Sequence, residues 1–160
     1  MMKPLFIILH HTASRKNTTV QDVDDWHKLR WPDFKSSLGY YVGYQYLIEG
    51  NGNTIQTRRN EEEGAHTLGG YNQKSIGIAL TGNFDLEEPN VPQLSALSTL
   101  LERLKKEYDI PDSKILGHKQ VWATSCPGKN LSKWLNLYKQ LNILQKIVEI
   151  LKQLFKGRTY

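Results

Sequence analysis

The 160-residue chain has a single cysteine, Cys126, so an internal disulfide framework is excluded. A lone cysteine is then a core residue, a nucleophile, a metal ligand or an incidental thiol. Long apolar runs are missing as well. None reaches the length of about 18 residues that spans a bilayer. Met1 to Leu9 holds one lysine and only the short run Leu5–Leu9, with no small-residue cleavage site. The expectation is a chain without a signal peptide, made in the cytoplasm. Internal repeats and low-complexity tracts are also lacking. Charge of one sign dominates only mildly: 21 Lys and Arg against 16 Asp and Glu give a net charge of +5. That balance favours anionic partners, whether nucleic acid, acidic lipid or another anionic polymer, without choosing among them. The basic residues are dispersed and form no nucleic-acid-binding motif, so no nucleic acid is expected as a partner. What remains is enough for a core. Hydrophobic residues make up 39% and aromatics 10%, which excludes wholesale disorder, and the length suits one domain.

The order of elements predicts an α/β fold. Leu5–Leu9 reads as a strand buried on both faces and runs into His10-His11-Thr12-Ala13. Asn17-Thr18-Thr19 offers caps for a helix striped by Val20, Val23 and Trp26, which Trp31-Pro32 ends. Residues Asp33 to Gly43 read as a loop. Tyr44–Glu49 and Thr54–Arg58 flank the turn Gly50-Asn51-Gly52-Asn53, a strong hairpin signal. Arg59 to Gly70 is a second loop. Ser75–Gly82 reads as a central strand whose Gly77 marks a close approach. A helix opens at Asn90 or Val91-Pro92 and runs to about Tyr108 on a leucine face. A short strand, Lys114–Leu116, precedes Gly117-His118, and a last helix starts near Leu131 after the turn at Cys126-Pro127-Gly128. The prediction is a central mixed β-sheet flanked by helices, residues 1–136, followed by a basic amphipathic helical tail, residues 137–160. From Trp134 into that tail, Leu137, Leu141, Leu144, Val148, Leu151 and Phe155 recur at steps of three and four, and Ile143, Ile147, Ile150 and Leu154 widen the stripe. Lys139, Lys146, Lys152, Lys156 and Arg158 make the rest positive. Three readings stay open: a helix packed on the domain, a self-association seam, or a helix that contacts an acidic envelope surface.

His10, His118 and Cys126 suit a metal site. A catalytic zinc centre takes three N, S or O ligands and leaves one position for water. These donors come from a strand end and a late loop, where a rigid scaffold displays function. By spacing alone the alternative stands beside it: five histidines and one cysteine make such triples by chance, and each residue could be structural.

The wider pattern resembles the zinc-dependent N-acetylmuramoyl-L-alanine amidases, both the phage lysozyme type and the animal peptidoglycan recognition proteins. The matching blocks follow in order: Ile7–Ala13, Trp26-His27, Val42–Ile48, Gly64-Ala65-His66-Thr67 with Tyr71-Asn72 and Ser75–Ile78, Gly117-His118, and Ser125-Cys126-Pro127-Gly128. Together they span roughly residues 5 to 135.

The resemblance implies zinc held by His10, His118 and Cys126, with His10 a better match to the ligand position than its neighbour His11. It implies Tyr44 as the catalytic tyrosine, a phenol that donates to the oxyanion formed at an attacked amide. His66, Thr67, Asn72 and His11 match substrate-side positions, and His27 matches a structural helix position. One departure stands out. Some phage members carry a lysine two residues before the cysteine; here that residue is Thr124, as in the animal proteins, which can hydrogen-bond but brings no charge. No general base is identified. Cys126 in place of the aspartate of the cytosolic anhydro-muropeptide amidases points to the wall-cleaving branch. The implied activity is hydrolysis of the bond between N-acetylmuramic acid and L-alanine in peptidoglycan, as an endolysin or autolysin acting after release to the wall. Loops 33–43 and 59–70 are expected to form the groove rims. The competing readings are a non-catalytic wall-recognition module and, further off, a phage regulatory protein that binds a polymerase.

Overall fold

The sheet is built around the apolar run at the start of the chain. In the computed structural model, which describes residues 3–156, that run forms β1 (Phe6–His11). It is longer than the predicted strand and carries both histidines within it. β1 pairs in parallel with β4 (Ser75–Leu80) on one side and β5 (Ile115–Gly117) on the other. β2 (Tyr46–Ile48) runs parallel to β4, and β3 (Thr54–Gln56) folds back antiparallel on β2. The order across the five-stranded mixed sheet is β3-β2-β4-β1-β5. β2 and β3 are shorter than the predicted strands; next to them the backbones of Gln45 and Thr57 still pair with Gly77 and with each other, while their side chains serve polar contacts behind the site.

Each central strand is covered on both faces, which explains its unbroken apolar run. On one face Ile7, Leu9, Ile76, Ile78 and Leu80 pack against α2 (Val91–Tyr108) and the first turns of α3 (Lys129–Lys156). Leu97, Leu101 and Leu104 of α2 are fully buried there, a gain of about 1.5–3 kcal/mol each. On the other face Leu47 and Ala79 meet Val23 of α1 (Val20–Arg30) and Val42. Both early helices begin as their sequences dictate. Thr19 and Asp22 form a reciprocal capping box on α1, and Asn90 and Gln93 form one on α2 with Pro92 in the first turn.

The alternation of side chains along β1 sorts the two histidines. Ile7, Leu9 and His11 face α2 and α3, whereas Ile8 and His10 face the α1 side. α3 is a single helix from Lys129 to Lys156 and passes residue 136 without a break. Arg158, and the side chains of Ile150, Leu154, Phe155 and Lys156, lie outside the described residues.

Candidate functional site

Three chain segments converge at the C-terminal ends of β1, β4 and β5. His10 stands at the end of β1 and is fully buried. His118 opens a 3-10 turn directly after β5, its ring centroid 4.5 Å from that of His10. Cys126 is eight residues further on, and the backbone N–H of Lys119 donates to the Cys126 carbonyl (2.7 Å), which folds the intervening loop back on itself. The thiol thereby comes to 3.6 Å from His10 Nδ1. The donor atoms of His10, His118 and Cys126 all lie within 4.8 Å of one another.

The donor set fits a zinc ion in kind and in number, two imidazoles and one thiol with room for a fourth ligand. Burial lowers the pKa of His10 well below 6.5, and the neighbouring His66 and His118 lower it further, so the ring is neutral and its nitrogen lone pair is available. Burial pushes the Cys126 thiol up to about 12, so the thiolate a metal needs forms only beside a cation. His118 Nε2 is buried with no partner among the described residues.

A second layer orients the first. His10 Nδ1 faces the thiol, and His10 Nε2 lies 3.1 Å from His66 Nδ1. With Nδ1 as the donor to a metal, Nε2 carries the hydrogen and gives it to His66. His66 then presents its own Nε2–H, an atom with no partner among the described residues. Asn72 holds this histidine in place, its Oδ1 accepting the backbone N–H of both His66 and Thr67 (3.0 Å each). The His66 ring can lie flat on β4 only because the sheet has Gly77 there. A Cβ at Gly77 or at Gly64 would come within 2.6 Å of His66 Cδ2.

Tyr44 closes the cluster from the α1 side, with its ring centroid 5.1 Å from His10 and 6.3 Å from His66. Burial raises its pKa, so the phenol keeps its proton and is a donor at every working pH. His27, on the last turn of α1, accepts the Gly43 N–H through Nδ1 (2.9 Å), which leaves its Nε2 protonated. Its pKa is lowered to about 4, by burial first and by the Arg30 guanidinium next. A groove of about 460 Å³ runs past these residues. Its walls include Tyr44, His66, Thr67, Asn72 and His118, with Trp31 and Trp122 at its edges.

The groove therefore gathers His118, Tyr44, His66, Thr67 and Asn72 in its walls, with His10 and Cys126 packed beside His118 behind it. Of the other two predicted residues, one faces away across the sheet and one lies beside the thiol. His11 faces the opposite side of the sheet, where its Nδ1 accepts the Phe84 N–H (3.1 Å). Thr124 is exposed, and its hydroxyl accepts the Cys126 N–H (3.2 Å). Of the two loops expected at the rim, 59–70 contributes Ala65 to Leu68, while 33–43 lines none of the groove; the end of α1 takes its place with Arg30 and Trp31.

The support behind the site was not legible in the sequence. Asp24 of α1 accepts the N–H groups of Tyr41 (2.5 Å) and Val42 (3.2 Å). Gln45, completely buried, accepts the Gly77 N–H (2.7 Å) and donates to the Glu62 carbonyl (2.9 Å). Arg58 gives its guanidinium to the carbonyls of Val42 and Phe34. These three polar side chains fix the loop that delivers Tyr44.

The comparisons with known proteins agree with this geometry. The profile of the N-acetylmuramoyl-L-alanine amidase family matches residues 1–129. Peptidoglycan-recognition protein SC1a of Drosophila melanogaster is 36% identical over 138 residues, covering 79% of this chain and 69% of that protein. Among solved structures, the N-acetylmuramoyl-L-alanine amidase LysC from Clostridium intestinale superposes with a TM-score of 0.74 at 31% identity, over 88% of this chain and 87% of its own. A tyrosine-to-phenylalanine mutant of Drosophila PGRP-LB, solved in complex with tracheal cytotoxin, gives a TM-score of 0.68 at 29% identity, over 81% and 78%. With that span of sequence and the same mixed sheet, the chain belongs to the N-acetylmuramoyl-L-alanine amidase family.

Proposed function

We propose that this protein is a zinc-dependent hydrolase that cuts the amide bond between N-acetylmuramic acid and L-alanine in peptidoglycan, in the manner of an endolysin or autolysin. The observation that carries this reading is the meeting of a two-histidine, one-thiol donor set with a buried, protonated tyrosine beside one open groove. A module that only recognises the wall needs the groove but not the donors.

His10, His118 and Cys126 would hold the metal, which when bound supplies an activated water and polarises the scissile carbonyl. The remaining work falls to the chain. Tyr44 donates its phenolic hydrogen to the carbonyl oxygen as negative charge builds there. Its raised pKa suits the role, because an acid this weak stays protonated and acts by hydrogen bonding alone. His66 receives the His10 Nε2–H and so fixes the ring whose other nitrogen faces the metal position. Asn72 keeps His66 and Thr67 in register. Thr67 lines the groove on the substrate side. Trp31 and Trp122 offer flat apolar edges to a sugar or a stem peptide.

The test is hydrolysis of purified peptidoglycan by zinc-loaded protein beside Cys126→Ser, with products read by mass spectrometry. Free stem peptides that begin with L-alanine, together with intact glycan, are expected from the wild type. The variant should fall at least about 100-fold in rate and hold less zinc. A wild-type protein that carries one zinc, sediments with the wall and releases nothing would instead be a recognition protein.

A further inference from the structure

α3 is attached to the domain by the wrong side for an ordinary surface helix. Its first turns bury Leu131 and Leu135 in the core. Beyond them the contacts with the domain are polar, apart from the Tyr138 ring, which packs on the core. The Tyr138 hydroxyl donates to the Glu102 carboxylate, Asn142 donates to Asp112 (3.2 Å), and Lys146 pairs with the same carboxylate (3.2 Å). Positions 138, 142 and 146 form one stripe of the helix. The apolar stripe points the other way. Leu137, Leu141, Leu144, Val148 and Leu151 are each about half exposed, from 46% to 59%. Ile143 and Ile147 extend this face to roughly 160° of the helix circumference, at 3.6 residues per turn. An exposed apolar face of this size marks an interaction site.

Charge and width select the occupant. Residues 129–152 contain five lysines and one acidic residue, so most of the net positive charge of the chain lies on this helix. Lys139 borders the apolar face on one side and Lys152 on the other, while Lys146 is held by Asp112. Long lysine stems lie along apolar surface and carry their ammonium groups outward. A second copy of α3 suits the face poorly. If Leu141 and Leu144 are the seam, the flanking positions are Tyr138, Gln140, Gln145, Ile147 and Lys152, with no acid to meet a lysine across the interface. A two-helix seam would also leave Ile143 and Ile147 in water. No described helix is long and apolar enough to cross a membrane. None of the residues of this face lines the groove.

We propose that the outer face of α3 lies in the interfacial plane of a lipid bilayer rich in anionic headgroups, with the apolar stripe in the acyl boundary and the flanking lysines on the phosphates. This would seat the domain beside a membrane, independently of what its groove cleaves.

Full-length protein is to be sedimented with vesicles of phosphatidylethanolamine and phosphatidylglycerol, and with phosphatidylcholine vesicles as the neutral reference. Binding to the anionic vesicles at least about ten-fold tighter is expected. Leu144→Glu with Val148→Glu should abolish it with an unchanged melting temperature, since both sites are exposed. Lys139→Gln with Lys152→Gln should bind both vesicle types alike. The proposal is overturned by a wild type that stays in the supernatant, or by a Leu144→Glu/Val148→Glu protein that still binds. It also fails if sedimentation velocity gives a wild-type dimer that the glutamates dissociate while vesicles capture neither protein; the face would then belong to a second copy.

Discussion

Tyr44 and Cys126 show how one effect, burial, does opposite jobs at residues a few ångströms from the same histidine. It keeps the phenol protonated, which suits a hydrogen-bond donor, and it opposes the thiolate, which must then be stabilised by a cation. Tyr44→Phe removes the donor and leaves the ring against His10 and His66. The hydrolysis rate should drop by roughly 10²–10³ with zinc content and wall binding intact, since the hydrogen bond forms fully only as the oxyanion develops. Single-turnover assays with equilibrium binding alongside would check this. A parallel loss of binding would mean that the phenol holds substrate and does not assist the reaction. At this scale the sequence was readable for residues with distinctive chemistry in a familiar order: His10, Tyr44, His66, His118 and Cys126 all reach one place. It was silent on Asp24, Gln45 and Arg58. Nothing in a period or a motif marks a polar side chain that will be buried to satisfy backbone groups of a distant loop.

At the scale of elements, β4 carries more of the site than its apolar run suggests. Its Ile76, Ile78 and Leu80 build the core on one face, while Gly77 on the other makes room for the His66 ring. Gly77→Ala would set a methyl group 2.6–2.8 Å from three His66 ring atoms. Such overpacking costs about 1–3 kcal/mol, and the ring is freer to move than the central strand. A melting temperature lower by several degrees is expected. A weaker hold on zinc should accompany it, because a displaced His66 no longer orients His10. Isothermal titration with zinc separates the two effects; unchanged zinc affinity would show that His66 is not the positioning group. The glycine in an otherwise apolar strand announced a close approach without naming its partner. The starts of α1 and α2 were legible to within a residue or two, since Thr19 and Asn90 are among the caps the sequence offers, and α3 begins two residues before its expected start. The orientation of α3 was not, because the 3-4 repeat fixes an apolar stripe but not which stripe faces the domain.

For the molecule as a whole, the fold holds several imidazoles neutral at the centre of its functional face. His10, His27 and His66 all lie below the ordinary 6.5, the last two at about 4 and about 3, with burial the leading cause in each. The unfolded chain binds these protons more readily, so the stability they contribute is present above pH 6.5. It is lost as pH falls from there toward 4 at His27 and 3 at His66. Metal acts on the same balance from the other side. An ion that binds only the folded chain adds about 4 kcal/mol at a thousand-fold excess over its dissociation constant, and protons compete with it for the thiol, which burial keeps protonated until a cation is beside it. Chelator-treated protein should therefore melt roughly 5–10 °C lower at pH 5 than at pH 7. Zinc should raise the melting temperature by a similar amount at pH 7 and by little at pH 5. Scanning calorimetry at both pH values, with and without zinc, reads all four states. A zinc gain of the same size at pH 5 would show that binding displaces no thiol proton and would place the metal away from Cys126.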